Sequence, residues 1–413
     1  MFQQLLNEKT SYKIIYFLLI FLPLSIVTSS LLMNLVVILI SLIFLLILVK
    51  EKNFIIFNNH FFIMIFVFFI FLVVNLTNSI EISRSLGRTF GFLRFILLSS
   101  AIFYFLSYKN FKYLKFISTS WMIIFLIVTI DLLYEFIFGY NIVGFSNQFP
   151  GRLSSFLNDE LKIGGYYYGF IIITAATIFH FYKKRFGIIF IIFSLIIAVL
   201  IGERANLIKI IFSTIIFFSF INLFNIKQKI LIISSSLIIF ICVILSNQDL
   251  KNRFSNQFLK YIYQNGLSNY YVISQYGAHY DSAIQIIKKN IMFGVGLKNF
   301  PIECAKDEYI NTKFTMHGAR CSTHPHQIHL DLLTSLGLSG YLILMFSLFY
   351  LLYKNIKNFK KNNNLFTLSG ISFLISTLIT PVPSGAFFTS YAATIFWINI
   401  GIILAFEKFK IKN

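Results

Sequence analysis

The chain has 413 residues, of which 57% are hydrophobic and 12% charged, with a formal net charge of +20. That balance excludes a soluble domain, and apolar stretches of roughly 16–22 residues recur at the length needed to cross a bilayer core. The stretches are continuous and do not alternate at period two, which predicts an all-α, polytopic helical bundle and argues against an outer-membrane barrel.

In chain order the predicted spans are 14–30, 31–49, 54–76, 90–107, 117–138, 164–181, 186–201, 206–225, 230–246, 328–352, 365–380 and 386–406, twelve in all. The first follows Lys9 and Lys13 and lacks a small-residue cleavage site, so it reads as a retained span and not a signal peptide. The chain then divides into nine helices over 1–246, a long polar loop region over 247–327 and three helices over 328–413. Cations set the orientation. Lys50 and Lys52, then Lys109, Lys112 and Lys115, then Lys183, Lys184 and Arg185 fall in alternate connections. So do Lys227 and Lys229, the group Lys354, Lys357, Lys360 and Lys361, and the tail Lys408, Lys410 and Lys412. The positive-inside rule puts all of these and both termini in the cytoplasm, as an even number of spans requires. The basic excess is mostly topology, and no nucleic-acid partner is expected.

The outward connections are then 77–89, 139–163, the turn 202–205, the long segment 247–327 and PVPSG at 381–385. Arg84, Arg88 and Arg94 cluster at the outer start of the fourth span, where 84 and 88 share a helical face. Against the usual outward bias, they read as phosphate ligands or as surface anchors. Asp131 and Glu135 line one face at the outer end of the fifth span. They are expected to pair with an arginine, or else to meet a hydroxyl-rich substrate. Arg204, in IGERANL, sits on a brief turn between apolar runs. Its planar fork suits phosphate oxygens; the alternative is an interfacial arginine that snorkels or pairs with Glu203.

Within the long segment, DSAIQIIKKN (281–290) reads as a short amphipathic helix on the membrane surface, ending near GVG at 294–296. Cys304 and Cys321 also lie there, where an oxidising compartment permits a disulfide contributing on the order of 3 kcal/mol. Cys242, amid Ile and Phe in a span, reads as ordinary packing. No paired-cysteine spacing exists, and neither a metal nor another cofactor is expected.

Three of the seven histidines, His324, His326 and His329, fall within CSTHPHQIH. Pro325 suits a first helical turn, with Ser322, Thr323 or His324 as cap. On that helix His326 would share a narrow sector with Leu333, Gly337 and Gly340, facing the protein interior where small residues allow close approach. Asp331 falls on a different face, which argues against an Asp–His relay. A neutral His326 beside a bound diphosphate would accept a proton from a hydroxyl nucleophile. The other reading is a capping or hydrogen-bonding histidine.

The pattern His326-Gln327, nine residues, Gly337, two residues, Gly340 resembles the signature of the O-antigen ligases, and it opens a late span after a large outward loop. The GERAN turn resembles the family's arginine between two central spans. AIQIIKKNIMFGVGLKNF, followed by Cys304 and CSTHPHQ, is similar to the loop of a subset of the family; the likeness covers roughly 185–345. The resemblance implies a metal-independent glycosyltransferase of the GT-C type in the bacterial inner membrane. Such an enzyme moves a glycan from undecaprenyl diphosphate onto lipid A–core at the periplasmic face, among membrane lipids. By this likeness His326 would activate the acceptor hydroxyl and Arg204 would bind the diphosphate. The arginines of 84–94, His324 and His329 would line the substrate site. The family's second, loop arginine has no clean counterpart in SQYGAHYDSA. His279 is the nearest candidate there, with Lys298 or Arg320 as substitutes. An O-antigen polymerase, whose acceptor is a second lipid-linked glycan, and a related protein O-glycosylation enzyme are the neighbouring readings. A flippase for a lipid-linked glycan is the reading from another class; the lack of an internal repeat and the outward gathering of polar residues argue against it.

Overall fold

A computed structural model describes residues 8–52, 59–107, 111–146, 149–158 and 160–407. The first part of the third predicted span, Lys109, the tail lysines Lys408, Lys410 and Lys412, both chain ends and parts of the 139–163 connection lie outside these residues. Among the described residues fifteen α-helices of five residues or more order the fold. They are α1 Thr10–Thr28, α2 Ser30–Glu51, α3 His60–Val74, α4 Ile82–Ser107, α5 Leu114–Phe138, α6 Ile163–Phe181, α7 Lys184–Leu200 and α8 Arg204–Phe220. Then follow α9 Ile226–Ser246, α10 Tyr261–Ile273, α11 Gln275–Lys289, α12 Phe300–Cys304, α13 Ile328–Asn362, α14 Leu365–Ile379 and α15 Ser390–Ala405. A short helical turn, Gln248–Lys251, runs into a π-type stretch, Asn252–Lys260, before α10. Among the described residues there is no strand, only an isolated bridge between Tyr140 and Ser146.

Among the described residues eight helices are long and apolar enough to cross a membrane: α1, α2, α3 with its continuation to Asn78, α4, α5, α6, α9 and α13. The remaining four predicted windows are helical but shorter, with 17 residues in α7, 17 in α8, 15 in α14 and 16 in α15. Composition explains the shortening of the last one. Pro381, Pro383 and Gly385 keep the chain out of a helix until Ser390, so 384–389 becomes a folded connection. The fourth helix deviates the other way: it starts at Ile82 instead of 90, which places Arg84 and Arg88 within it.

Packing places α6 at the centre, with nearly every residue from Tyr166 to Phe179 buried, and α15 against α4, where Ile102 sits over Gly401. Trp121 and Trp397 are fully enclosed. α9 is the outlier, with Ile232 its one buried residue among those described, and Cys242 on it is exposed. The expectation of ordinary packing for Cys242 is therefore corrected: its helix lies against the bundle along one narrow edge only.

Polar contacts gather at the two ends of the bundle. At one, Tyr12 donates to Glu51 at 2.7 Å, Asn59 to Glu407 at 2.8 Å, and Lys354 pairs with Glu407 at 2.6 Å. At the other, the 139–162 connection meets the α7–α8 turn. Gly202, at φ +73°, lies so close to the Gly151 carbonyl that an added Cβ would sit 1.9 Å from its oxygen.

The second end also holds a break in α13. Gly337 adopts φ 63°, ψ −171°, which only glycine takes without strain. The interrupted backbone groups are taken up by the segment after α11. Val295 N–H donates to Thr334 O at 2.8 Å, Gly296 N–H to Ser335 O at 3.0 Å and Leu338 N–H to Ile291 O at 2.7 Å. Gly337 thus admits a loop backbone, where the sequence suggested a neighbouring helix; Gly340 receives the Phe71 ring.

Candidate functional site

The histidine segment precedes its helix. α13 begins at Ile328 and is capped by Gln327, whose side chain accepts from Leu330 N–H at 2.8 Å. His326 therefore stands one residue before the cap, in left-handed backbone at φ 56°. His326 is thus on no helical face, because Gln327 outcompetes Ser322, Thr323 and His324 as cap. What fixes the ring is side-chain packing. The His326 ring lies 4.0 Å from that of His324, 5.2 Å from His279 and 5.9 Å from Tyr276, centre to centre. Its Nε2 is 2.9 Å from the Ser322 hydroxyl, and its carbonyl accepts from Ser384 N–H at 2.8 Å. Burial, then the neighbouring His324 and His279, hold the His326 imidazole down to about 3, so it is neutral at physiological pH.

His279 lies in α11, which starts earlier than the sequence suggested because Ser274 caps it at Gly277 N–H. Its Nδ1 is 2.8 Å from the Arg320 carbonyl, and burial lowers its pKa. His324 reaches the Ser384 carbonyl at 3.2 Å and the Thr323 hydroxyl at 2.9 Å. His329 turns away from this group. Its two ring nitrogens meet the Leu378 carbonyl at 2.7 Å and the Tyr341 hydroxyl at 3.0 Å, tying α13 to α14. A disulfide joins Cys304 to Cys321 and thereby anchors α12 to the residue before Ser322. The Arg320 guanidinium donates to the Ala305 carbonyl at 3.3 Å and supports the same loop, while Lys298 is exposed on a turn at φ 65°.

Arg204 opens α8, and its Nη1 donates to the Arg253 carbonyl at 3.5 Å. The Arg253 guanidinium donates to Gly202 O at 2.6 Å; burial, with Arg152 and Arg204 close by, pulls its pKa down to about 10. The carboxylate of this group is Glu203. It accepts from Gly164 N–H at 2.9 Å and from the Asn206 amide at 2.6 Å, with Arg152 Nη2 at 3.8 Å. The ion pair thus goes to Arg152, since helix geometry turns Arg204 away from its neighbour. Arg152 and Arg253 both act on the Glu203 carboxylate, and Arg204 joins the group through the Arg253 carbonyl. Tyr276 stands edge-on to His326 and is within electrostatic range of Arg253, so the arginine group and the histidine group lie on either side of that ring.

A second route runs through 384–390. Beyond Ser384, Phe387 N–H donates to the buried Asp331 carboxylate at 2.9 Å. Arg88 Nη1 then donates to Phe388 O at 2.9 Å, and Arg94 Nη2 to the Ser390 hydroxyl at 2.9 Å. Arg84 is not brought in; it forms an exposed ion pair with Glu81 at 2.7 Å. Asp131 and Glu135 do not pair with arginine either. Asp131 accepts from Ile142 N–H and the Ser155 hydroxyl, and Glu135 from Ser154 and Ser155 N–H at 3.0 and 2.7 Å, so both pin the loop that carries Arg152. A buried loop backbone needs acceptors more than an arginine does here.

Arg152, Arg253 and Tyr276 had not been singled out in the sequence. Arg152 lies beside a Pro-Gly turn, which in the sequence reads as loop only. Arg253 lies upstream of α11, and only the fold of Gln248–Lys260 returns it to the GERAN turn.

The fold and this cluster define a multi-pass helical membrane protein with a cationic, imidazole-bearing site at one end of its bundle. Residues 189–345, from α7 to the first part of α13, match the family model of the O-Antigen ligases, which supports an O-antigen ligase assignment for that segment. The match supports ligase- or polymerase-type function in general. No curated protein matches the chain.

Proposed function

We propose that the protein transfers a glycan from undecaprenyl diphosphate to a sugar hydroxyl of lipid A–core, without a metal, at the periplasmic face of the inner membrane. The chain crosses twelve times in a GT-C-like arrangement, with α7, α8, α14 and α15 as short spans and both termini in the cytoplasm. The observation that carries this reading is the meeting of imidazole and guanidinium groups at Tyr276. The donor diphosphate sits on Arg204 and Arg253. His326 Nε2 takes the proton of the acceptor hydroxyl, whose place is marked by Ser322 Oγ. The acceptor oxygen bonds to the anomeric carbon, and the bond to the diphosphate breaks with its electron pair leaving on phosphate. Fixed cations stabilise that charge as it develops.

A base held near 3 is weak until the site fills. A diphosphate beside the ring favours its protonated form and lifts it toward the working range. The prenyl tail lies in the apolar groove between α7, α8 and α9, lined by Leu195, Leu207, Ile211, Ile232 and Phe240, which opens one turn along α8 from Arg204. Deleting the gene and examining surface glycan tests the proposal. Long chains left on undecaprenyl diphosphate support it. Single capped repeats would indicate a polymerase, and donor accumulating on the cytoplasmic face a flippase. His326→Ala should abolish transfer while leaving the protein inserted; unchanged lipopolysaccharide ladders would remove His326 from the mechanism.

A further inference from the structure

Arg88 and Arg94 are half-buried on α4, outside the segment matched to the ligase family, and the donor group does not include them. Their hydrogen bonds go to neutral acceptors, the Phe388 carbonyl and the Ser390 hydroxyl. The nearby carboxylates are committed elsewhere: Glu81 to Arg84, and Asp331 to Phe387 N–H. Arg94 Nε is buried without a partner, as is the Ser384 hydroxyl on the same connection. Among the described residues two positive charges are thus held together at the edge of an apolar bundle with no anion between them, which is costly unless a ligand supplies one.

Their position says which ligand. The donor cations reach the histidines through Tyr276 on α11, whereas Arg88 and Arg94 reach them through Ser384 to Ser390, where Ser384 binds both His324 and His326. In a glycosyl displacement the anomeric carbon lies between the acceptor oxygen, with its base, and the leaving diphosphate, so the two substrates need separate anchors on either side of the reacting centre. With three guanidiniums already around the donor site, the second pair serves the other substrate. We infer that Arg88 and Arg94 form an acceptor anion site, which binds a phosphate close to the sugar hydroxyl that receives the glycan. The inference rests on the transferase reading above. Two acceptors carry such a group: a phosphorylated lipid A–core, and the diphosphate of a second lipid-linked glycan.

The test uses the full-length protein in proteoliposomes with a lipid-diphosphate glycan donor. Three acceptors are compared: phosphorylated lipid A–core, the same material stripped of phosphate, and a second lipid-diphosphate glycan. The wild-type protein should show a KM for a phosphate-bearing acceptor on the order of tenfold below that for the stripped one. Whichever phosphate-bearing acceptor is preferred identifies the source, and either supports the inference. Arg88→Gln and Arg94→Gln keep a donor for the loop but lose the charge. Each should erase most of the preference with the donor KM unchanged. Ser390→Ala, which removes a neutral partner and leaves the charge, should keep it. The inference is overturned if the wild-type protein ignores acceptor phosphate, or if the glutamine variants retain the preference. It is also overturned if those variants slow all acceptors equally, since that marks the arginines as loop supports. Absence of transfer to any acceptor would overturn the transferase reading and this inference with it.

Discussion

His326 combines a left-handed backbone with an imidazole among three other rings. The fold keeps it neutral down to about pH 3, while the unfolded chain takes up a proton near pH 6.5. Between those values the unfolded state binds more protons, so stability falls as pH drops from about 6.5 toward 3. The protein should melt at lower temperature at pH 5 than at pH 7.5, and His326→Gln should flatten part of that slope. Adding a diphosphate analogue should raise the His326 titration, followed by NMR of labelled histidine; a midpoint that stays put would separate the imidazole from the anion. Arg204 and Arg253 make a second residue-scale case. Arg204→Ala should lower transfer about 100-fold, as loss of a charge-stabilising donor does elsewhere, and Arg204→Lys less, because phosphate needs charge before fork geometry. If Arg253 shares the same anion, the double alanine variant will cost less than the product of the singles. At this scale the sequence is legible in residue type and poorly so in partner. Arg204 and His326 stand out by their surroundings. Arg253 becomes visible only when Gly202 accepts its Nε, a contact 51 positions apart.

The long α13 shows what an element hides. Its apolar run and its basic end are plain in the sequence, and the helix from Ile328 to Asn362 follows from them. The break at Gly337 does not, since glycine inside an apolar helix reads equally well as a helix-packing site. The difference lies in who supplies the hydrogen bonds. Within a membrane an opened turn must be satisfied by protein, and Ile291 to Gly296 do so. Gly337→Ala would place a Cβ 2.3–2.4 Å from the backbone of Met292 and Phe293 and impose left-handed backbone on alanine. The backbone term alone costs about 1–3 kcal/mol. Thermal unfolding in detergent should drop accordingly for Gly337→Ala, and hardly at all for Gly318→Ala, which has open space at its Cβ. Equal melting of the two variants would mean that the loop does not close the break.

For the whole molecule, charge and hydropathy carried most of the readable signal, because bilayer spans are specified by composition over long windows. Length was the weaker guide. Among the described residues four of the apolar helices are shorter than a full crossing; α14 and α15 are almost wholly enclosed, while α7 and α8 bury one face. A short helix can still complete a path when the connections at its ends fold into the site, as 384–389 does before α15. The proposed twelve-fold crossing therefore stands or falls with sidedness. Starting from Cys242→Ser to remove the exposed thiol, single cysteines at Lys313 and Lys361 divide the possibilities, since both positions are exposed and they lie on opposite ends of α13. An impermeant maleimide added to intact spheroplasts should modify Lys313→Cys and leave Lys361→Cys untouched until the membrane is opened. Modification of both from outside, or of Lys361→Cys alone, would place the basic connections outside and take the histidine and arginine groups away from a periplasmic donor.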